Sequence, residues 1–306
     1  MLADSTVKLQ FAGHETFPLR LLWLKKAFDA TTYGATRGTF QEPSAIAMFG
    51  VGRNMAISMR HWAIAADMLV DVGGTLAPTN IGRMILDTKS GLDPYLEHPA
   101  TLWMVHGALA STPQHTTTWF FAFNGLNQTG FDRELVAQEM LAALNGRAGL
   151  RLSPGTLRRD FEVFVRSYVG RRGDLANEDA AEPLLAELGL IRETRLSGQY
   201  EFVRGPKATL PDGIFALFLR RFWRAEHASS PTLSLEQVSY GIGSPGRIFK
   251  LDEDSVLERL SRIEISTGGA IRWTDTAGLR QVMFVEEVDE EALLRESYVS
   301  TRRVAI

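Results

Sequence analysis

His14 and Glu15 form the most reactive pair of neighbouring side chains in this sequence. An imidazole beside a carboxylate can move a proton near neutral pH, or can hold a divalent cation such as Mg or Mn. The pair follows Gly13 and immediately precedes a segment patterned as a helix. It can therefore equally serve as a cap that satisfies orphan N–H groups and complements the helix dipole. The cluster Asp93-Pro94-Tyr95-Leu96-Glu97-His98 has the types to ligate a metal, but Asp-Pro is first a turn and helix-start signal.

The other chemistry is cationic. Arg53 and Asn54, with Arg60 and His61 further along, sit on one stretch that follows a glycine turn. Arginine and asparagine are the side chains able to make bidentate contacts to guanine and adenine in the major groove. Arg158 and Arg159 stand beside an apolar stripe of Leu157, Phe161, Phe164 and Val165. Arg20 and Lys25 lie off the apolar stripe of the first helix, and Arg272 and Arg280 lie in a C-terminal hairpin. Each can touch DNA, and each can equally be an ordinary exposed residue or face a protein partner.

Several elements would have to position these groups. Leu21, Leu24 and Phe28 predict a helix from Phe17 to about Ala30, with Thr16 as cap and Pro18 in its first turn. Pro43 to Phe49 reads as a short helix, Gly50-Val51-Gly52 as a tight turn, and Arg53 to Val70 as a longer helix. That order is a helix-turn-helix, in which residues at the front of the second helix touch bases and phosphates. Gly73-Gly74, a short strand at Leu76 and a helix over Thr79–Leu86 follow as a small wing. A second unit pairs Phe131–Leu144 with a helix capped by Ser153 and begun by Pro154. A third runs Leu233–Tyr240, a glycine-rich turn, Asp252–Ile263 and a hairpin around Asp275–Gly278. The expected class is mainly α with small β wings, in several helix-turn-helix or winged-helix-like units. Boundaries are expected at 1–125, 126–228 and 229–306, with His227–Pro231 the clearest linker and Arg171-Arg172-Gly173-Asp174 a further loop. No repeat of short period is evident.

Composition narrows the classes. There are 306 residues and no cysteine, which excludes disulfides, thiol nucleophiles and any zinc–cysteine site. The net charge of −3 does not suit a protein that coats DNA indiscriminately, so a nucleic-acid surface must be a local stripe balanced by acid elsewhere. Glu286, Glu287, Asp289, Glu290 and Glu291 supply such acid. No eighteen-residue apolar run and no basic-then-apolar start occur, so no membrane contact and a cytoplasmic location are expected. The phosphate-binding loop, the Gly-x-Ser-x-Gly elbow and helical His-x-x-x-His are all absent.

Five blocks, in order, carry a family resemblance. Phe11-Ala12-Gly13-His14-Glu15-Thr16-Phe17-Pro18-Leu19-Arg20 with Trp23-Leu24-Lys25-Lys26 is similar to the opening of the domain of unknown function 4007. Gly50-Val51-Gly52-Arg53-Asn54-Met55 with Arg60 and Trp62 resembles its next block, and Asp93-Pro94-Tyr95-Leu96 with Thr101-Leu102-Trp103 a third. Leu157-Arg158-Arg159-Asp160 with Tyr168, and Ser244-Pro245-Gly246-Arg247 with Phe249-Lys250-Leu251-Asp252, resemble later ones. The resemblance implies a role beside genes for DNA phosphorothioation, in which sulfur replaces a non-bridging phosphate oxygen. It implies DNA nicking, DNA as ligand, and a cysteine desulfurase, an ATPase and an ATP pyrophosphatase-like protein as partners. A homodimer would match the symmetry of DNA. A non-catalytic recruiter or regulator, or a scaffold for the modification complex, is the alternative.

Overall fold

Polar caps and left-handed hinges fix where the elements begin and end. The computed structural model describes residues 2, 6–145, 147, 150, 152–170, 183–276 and 278–300. The loop expected at Arg171-Arg172-Gly173-Asp174 lies outside the described residues. Helix α1 (Trp23–Thr31) starts later than the stripe suggests, because Leu22 is left-handed at φ 66° and residues 17–20 are not helical. Thr16 therefore caps nothing. Helix α2 (Ser44–Phe49) ends at Gly50, whose φ of 68° is open to glycine at little cost. Helix α3 (Arg53–Ala65) is shorter than predicted. Asp67, at φ 62°, turns the chain into the hairpin β1 (Leu69–Val72) and β2 (Thr75–Pro78).

Thr79 accepts a bond from the Gly82 N–H and opens α4 (Asn80–Leu86). Helix α5 (Pro99–Ser111) is buried along most of its length and forms the central post. There follow α6 (Thr117–Asn124), β3 (Gly130–Asp132), α7 (Arg133–Leu144) and α8 (Pro154–Arg166), with Ser153 and Pro154 in the predicted capping roles. The hairpin β4 (Ile191–Glu193) and β5 (Gln199–Phe202) closes this part. The last third holds α9 (Asp212–Glu226), β6 (Thr232–Ser234), α10 (Leu235–Tyr240) with a full capping box, α11 (Pro245–Ile248), α12 (Glu253–Ser261) and α13 (Ile263–Ser266). The hairpin β7 (Ile271–Thr276) and β8 (Leu279–Phe284), then α14 (Glu290–Ser300), complete the chain.

A related element order recurs three times: an opening helix, a lone strand or bridge, helices and a hairpin, with two helices before the hairpin in the first two units and four, two of them short, in the third. The opening helices begin at Trp23, Thr117 and Asp212, starts 94 and 95 residues apart. In each unit the lone strand pairs with the second hairpin strand. The sheets run β3-β5-β4 and β6-β8-β7, and in the first unit a single bridge, Thr36 to Thr75, stands in for the lone strand beside β2. The sequence shows no repeat because the units share order and spacing rather than residues. Boundaries at 125/126 and 228/229 fall just after α6 and α9, the helices that open the second and third units. Nor do those cuts separate cores. One continuous cluster of buried side chains takes in Trp62, Trp103, Phe123, Phe164, Phe218 and Phe249, and bonds such as His106 Nε2 to the Ile248 carbonyl (2.9 Å) cross them. Among the described residues no helix is long and apolar enough to cross a membrane.

Candidate nucleic-acid interface and its buried histidines

In the first unit Arg53 and Asn54 stand at the start of α3. Gly52, with no side chain to cap the helix, leaves the first N–H groups of α3 open, and the positive end of the helix dipole adds to the charge of Arg53. Arg53 and Asn54 are both exposed. Among the described residues no acid pairs with Arg53 or with the exposed Arg159 of α8. Arg158 is exposed but shared with Glu134, at 2.8 Å. On the third hairpin Arg272 lies 3.6 Å from Glu264 and Arg280 lies 3.4 Å from Asp275. Such exposed pairs are worth at most about 1 kcal/mol and yield easily to a phosphate.

Other predicted contacts turn inward. Lys25 is 6% exposed, and its ammonium is held by Asp29 and by Thr88 Oγ1 at 2.7 Å. It lies off the α1 stripe but faces the core, because α4 and the segment after it pack over that side. Arg20 is half-buried, its guanidinium 5.5 Å above the Trp23 ring. Arg60 is half-buried and donates to the Arg37 carbonyl at 3.3 Å, and burial lowers its pKa. His61 is buried; first burial, then the charges of His14, His115 and Arg60, push its pKa down to about 3. It is a neutral core imidazole, not a base reader.

His14 and Glu15 part company. Glu15 is half-buried, whereas His14 is 3% exposed, enclosed by Trp62 (ring centroids 6.0 Å, stacked), Trp119 (5.8 Å) and His61 (6.2 Å). Its Nδ1 accepts the Thr16 N–H at 3.2 Å. Its Nε2 lies 3.2 Å from Asp160 Oδ1, close to the carboxylate but outside the angular range of a hydrogen bond. Neither ring nitrogen is open to a substrate in this conformation. Gly13 makes the burial feasible: a Cβ there would stand 2.6 Å from His61 Nδ1. Among the described residues, four of the seven non-glycine residues at positive φ, Ala12, Glu15, Thr16 and Leu22, fall within this short stretch. Such concentrated strain persists only where surrounding contacts hold it, and is typical of functional segments.

Sequence reasoning missed Asp160. Its carboxylate, 2% exposed for the residue, accepts the Ala12 N–H (2.9 Å) and the Thr118 hydroxyl (3.1 Å) besides facing His14. The signal was present: an acid at the position of α8 that continues the Leu157–Phe161–Phe164 stripe. A carboxylate on a buried face needs partners. Asp93 is likewise structural. It accepts the Glu97 and His98 N–H groups at 2.9 Å each and bonds the Thr101 hydroxyl. Among the described residues no three histidine or acidic side chains gather as metal ligands. A divalent ion would therefore find no ready cage here, although Mg²⁺ often relies on one or two carboxylates and the phosphates it bridges.

A fold of three like units with two cationic helix faces defines the class. Residues 11–298 match the model of the family described as protein of unknown function DUF4007, and the chain belongs to that family. No curated protein matches it. Among solved structures it is similar to a magnesium ion-bound SspB, at 25% identity and a TM-score of 0.83, over 97% of this chain and 90% of that one. A second SspB crystal structure matches at 25% identity and a TM-score of 0.80, over 96% of this chain and 89% of that one.

Proposed function

We propose that the chain does the work of SspB in an Ssp-type DNA phosphorothioation system, engaging duplex DNA and nicking one strand. The observation that carries this is similarity to SspB over 97% of the chain at a TM-score of 0.83. The recurring placement of the lone strand beside the second hairpin strand is compatible with a winged-helix reading and supports DNA contact. The contact surface is the front of α3, Arg53 and Asn54, extended by Arg159 and by Arg158 once it leaves Glu134. Arg272 and Arg280, expected as wing contacts, already lie beside Glu264 and Asp275, and whether they reach the duplex is decided by substitution. The cysteine desulfurase, ATPase and ATP pyrophosphatase-like proteins are its working partners, and a homodimer would set its half-site spacing.

The test is conversion of supercoiled plasmid to open circles in Mg²⁺, Mn²⁺ and EDTA. Intrinsic nicking predicts metal-dependent open circles. Loss of nicking with binding intact in His14→Ala or Glu15→Ala would assign the chemistry to that pair, and unchanged nicking in both would remove it. The second reading is a recruiter that binds DNA without cutting. The sealing of both His14 nitrogens favours it. It predicts salt-sensitive binding and no strand breaks in any metal.

A further inference from the structure

The segment from Gln10 to Phe17 is stitched to three helices: the Gln10 N–H donates to Thr117 Oγ1 of α6 at 2.9 Å, and the remaining contacts reach α3 and α8. Toward α3, the Trp62 indole donates to the Phe17 carbonyl (3.0 Å), the Gln10 amide meets His61 Nδ1 (3.4 Å), and the His14 ring stacks on Trp62. Toward α8, Asp160 holds the Ala12 N–H and faces His14 Nε2. Helices α3 and α8 share no extensive packing of their own. Apart from this segment they communicate through the rings of Trp62, Trp119 and Phe164, at centroid distances of 5.3 and 5.6 Å. On α8 the exposed Arg159 adjoins Asp160, so the inward contact and the outward charge sit on neighbouring residues; on α3 the exposed Arg53 and Asn54 lie about two turns before the buried His61.

We propose that Asp160, acting through His14 and the Ala12 N–H, is a positioning residue that sets the spacing of α3 and α8 so that both address one duplex. This rests on the DNA-contact reading above. A buried carboxylate is well suited to such a strut, since any movement of α8 away from the segment would leave its charge unpaired in the core. Thr118, bonded to the other carboxylate oxygen, belongs to α6 and does not link the two cationic helices.

The experiment measures duplex affinity as a function of salt for the full chain and for Arg53→Ala, Arg159→Ala and Asp160→Asn, with folding checked by thermal melting. In the unaltered background, Arg53→Ala and Arg159→Ala are each expected to weaken binding and to lower the salt slope by about one. In Asp160→Asn the slope falls by about one and Arg159→Ala becomes silent, while Arg53→Ala keeps its effect. Thr118→Val, which removes a bond to the same carboxylate, leaves the slope unchanged. If Asp160→Asn does not fold, His14→Gln is read by the same criteria. An effect of Arg159→Ala that persists undiminished in the Asp160→Asn background overturns the strut while leaving DNA contact intact. If Arg53→Ala and Arg159→Ala are both without effect in the unaltered background, the DNA-contact reading falls and the strut with it. A His14→Ala protein that binds with the full slope but no longer nicks returns His14 to catalysis and also overturns the strut.

Discussion

The first and third units share an opening helix, further helices and a closing hairpin, the third with two additional short helices, and they show opposite faces. In the first, α3 opens with Arg53 and Asn54, and its beginning has no acid. In the third, α12 opens with Glu253 and Asp254 behind an Asp252 cap, and Glu258 follows one turn on, all exposed. A duplex is drawn to the first arrangement and repelled by the second. One backbone design thus carries two surface chemistries, which explains a net charge of −3 in a chain with a cationic front. Order and packing are the shared part; function is in what each copy displays.

What the units share can be broken by acid, the largest effect expected. His61 lies on the buried face of α3, and His106, in α5, is bonded to Tyr168 and to the Ile248 carbonyl at the third unit. Burial, the leading cause at both, holds each at about 3. In the unfolded chain each returns to about 6.5, so between those values the unfolded state binds the extra proton. Stability is full above about pH 6.5 and falls as the pH drops toward 3, by roughly 1.4 kcal/mol per pH unit for each histidine. Urea midpoints at pH 7, 6 and 5 check this; a midpoint constant across that range would mean that the histidines take up protons in place.

Next in size is the core. Trp62 in the first unit and Phe249 beside the third are both fully buried. Truncation of either to alanine should cost about 3–5 kcal/mol. Because one cluster joins the units, each variant should still unfold in a single transition. Two separated transitions in Phe249→Ala would show that the third unit melts by itself.

Much of this was legible in the sequence where a local rule decides structure. Ser153 and Pro154 start α8 as predicted, Gly50 ends α2, and the third hairpin lies where its turn residues put it. The class, mainly helical with small sheets, follows from the same cues. Legibility ended where distant residues decide. Nothing near Phe17 shows that Leu22 will be left-handed or that the Phe17 carbonyl will be held by Trp62 of another helix. Lys25 looks exposed on a helical wheel until α4 and Thr88 cover it. His14 looks reactive beside Glu15, yet its partner is Asp160, a residue 146 positions later that a different helix delivers. The fold's repeat was hidden for a related reason: order and spacing recur, but residues do not.

The surface contrast itself is tested by charge reversal. Arg53→Glu should weaken duplex binding by roughly 1–3 kcal/mol, the range for loss of a specific arginine contact. Glu253→Lys on the third unit should leave it unchanged or strengthen it slightly through the field alone. Equal losses from the two reversals would put both faces on the duplex and erase the distinction between the units.

The smallest effect belongs to the third hairpin and refines the comparison. Arg272 and Arg280 already lie beside Glu264 and Asp275, in exposed pairs worth about 0–1 kcal/mol. Removing either arginine leaves an acid behind, so two opposing changes meet: a lost cation and an uncovered carboxylate. If this hairpin is a working wing, Arg272→Ala lowers affinity more than the double change Arg272→Ala with Glu264→Ala, because the uncovered acid repels phosphate. If the third unit stays off the duplex, both leave affinity at the level of the unaltered chain, at low and at high salt alike. The acidic front of α12 argues for the second result, since a hairpin can reach the backbone only if the helix beside it tolerates the groove.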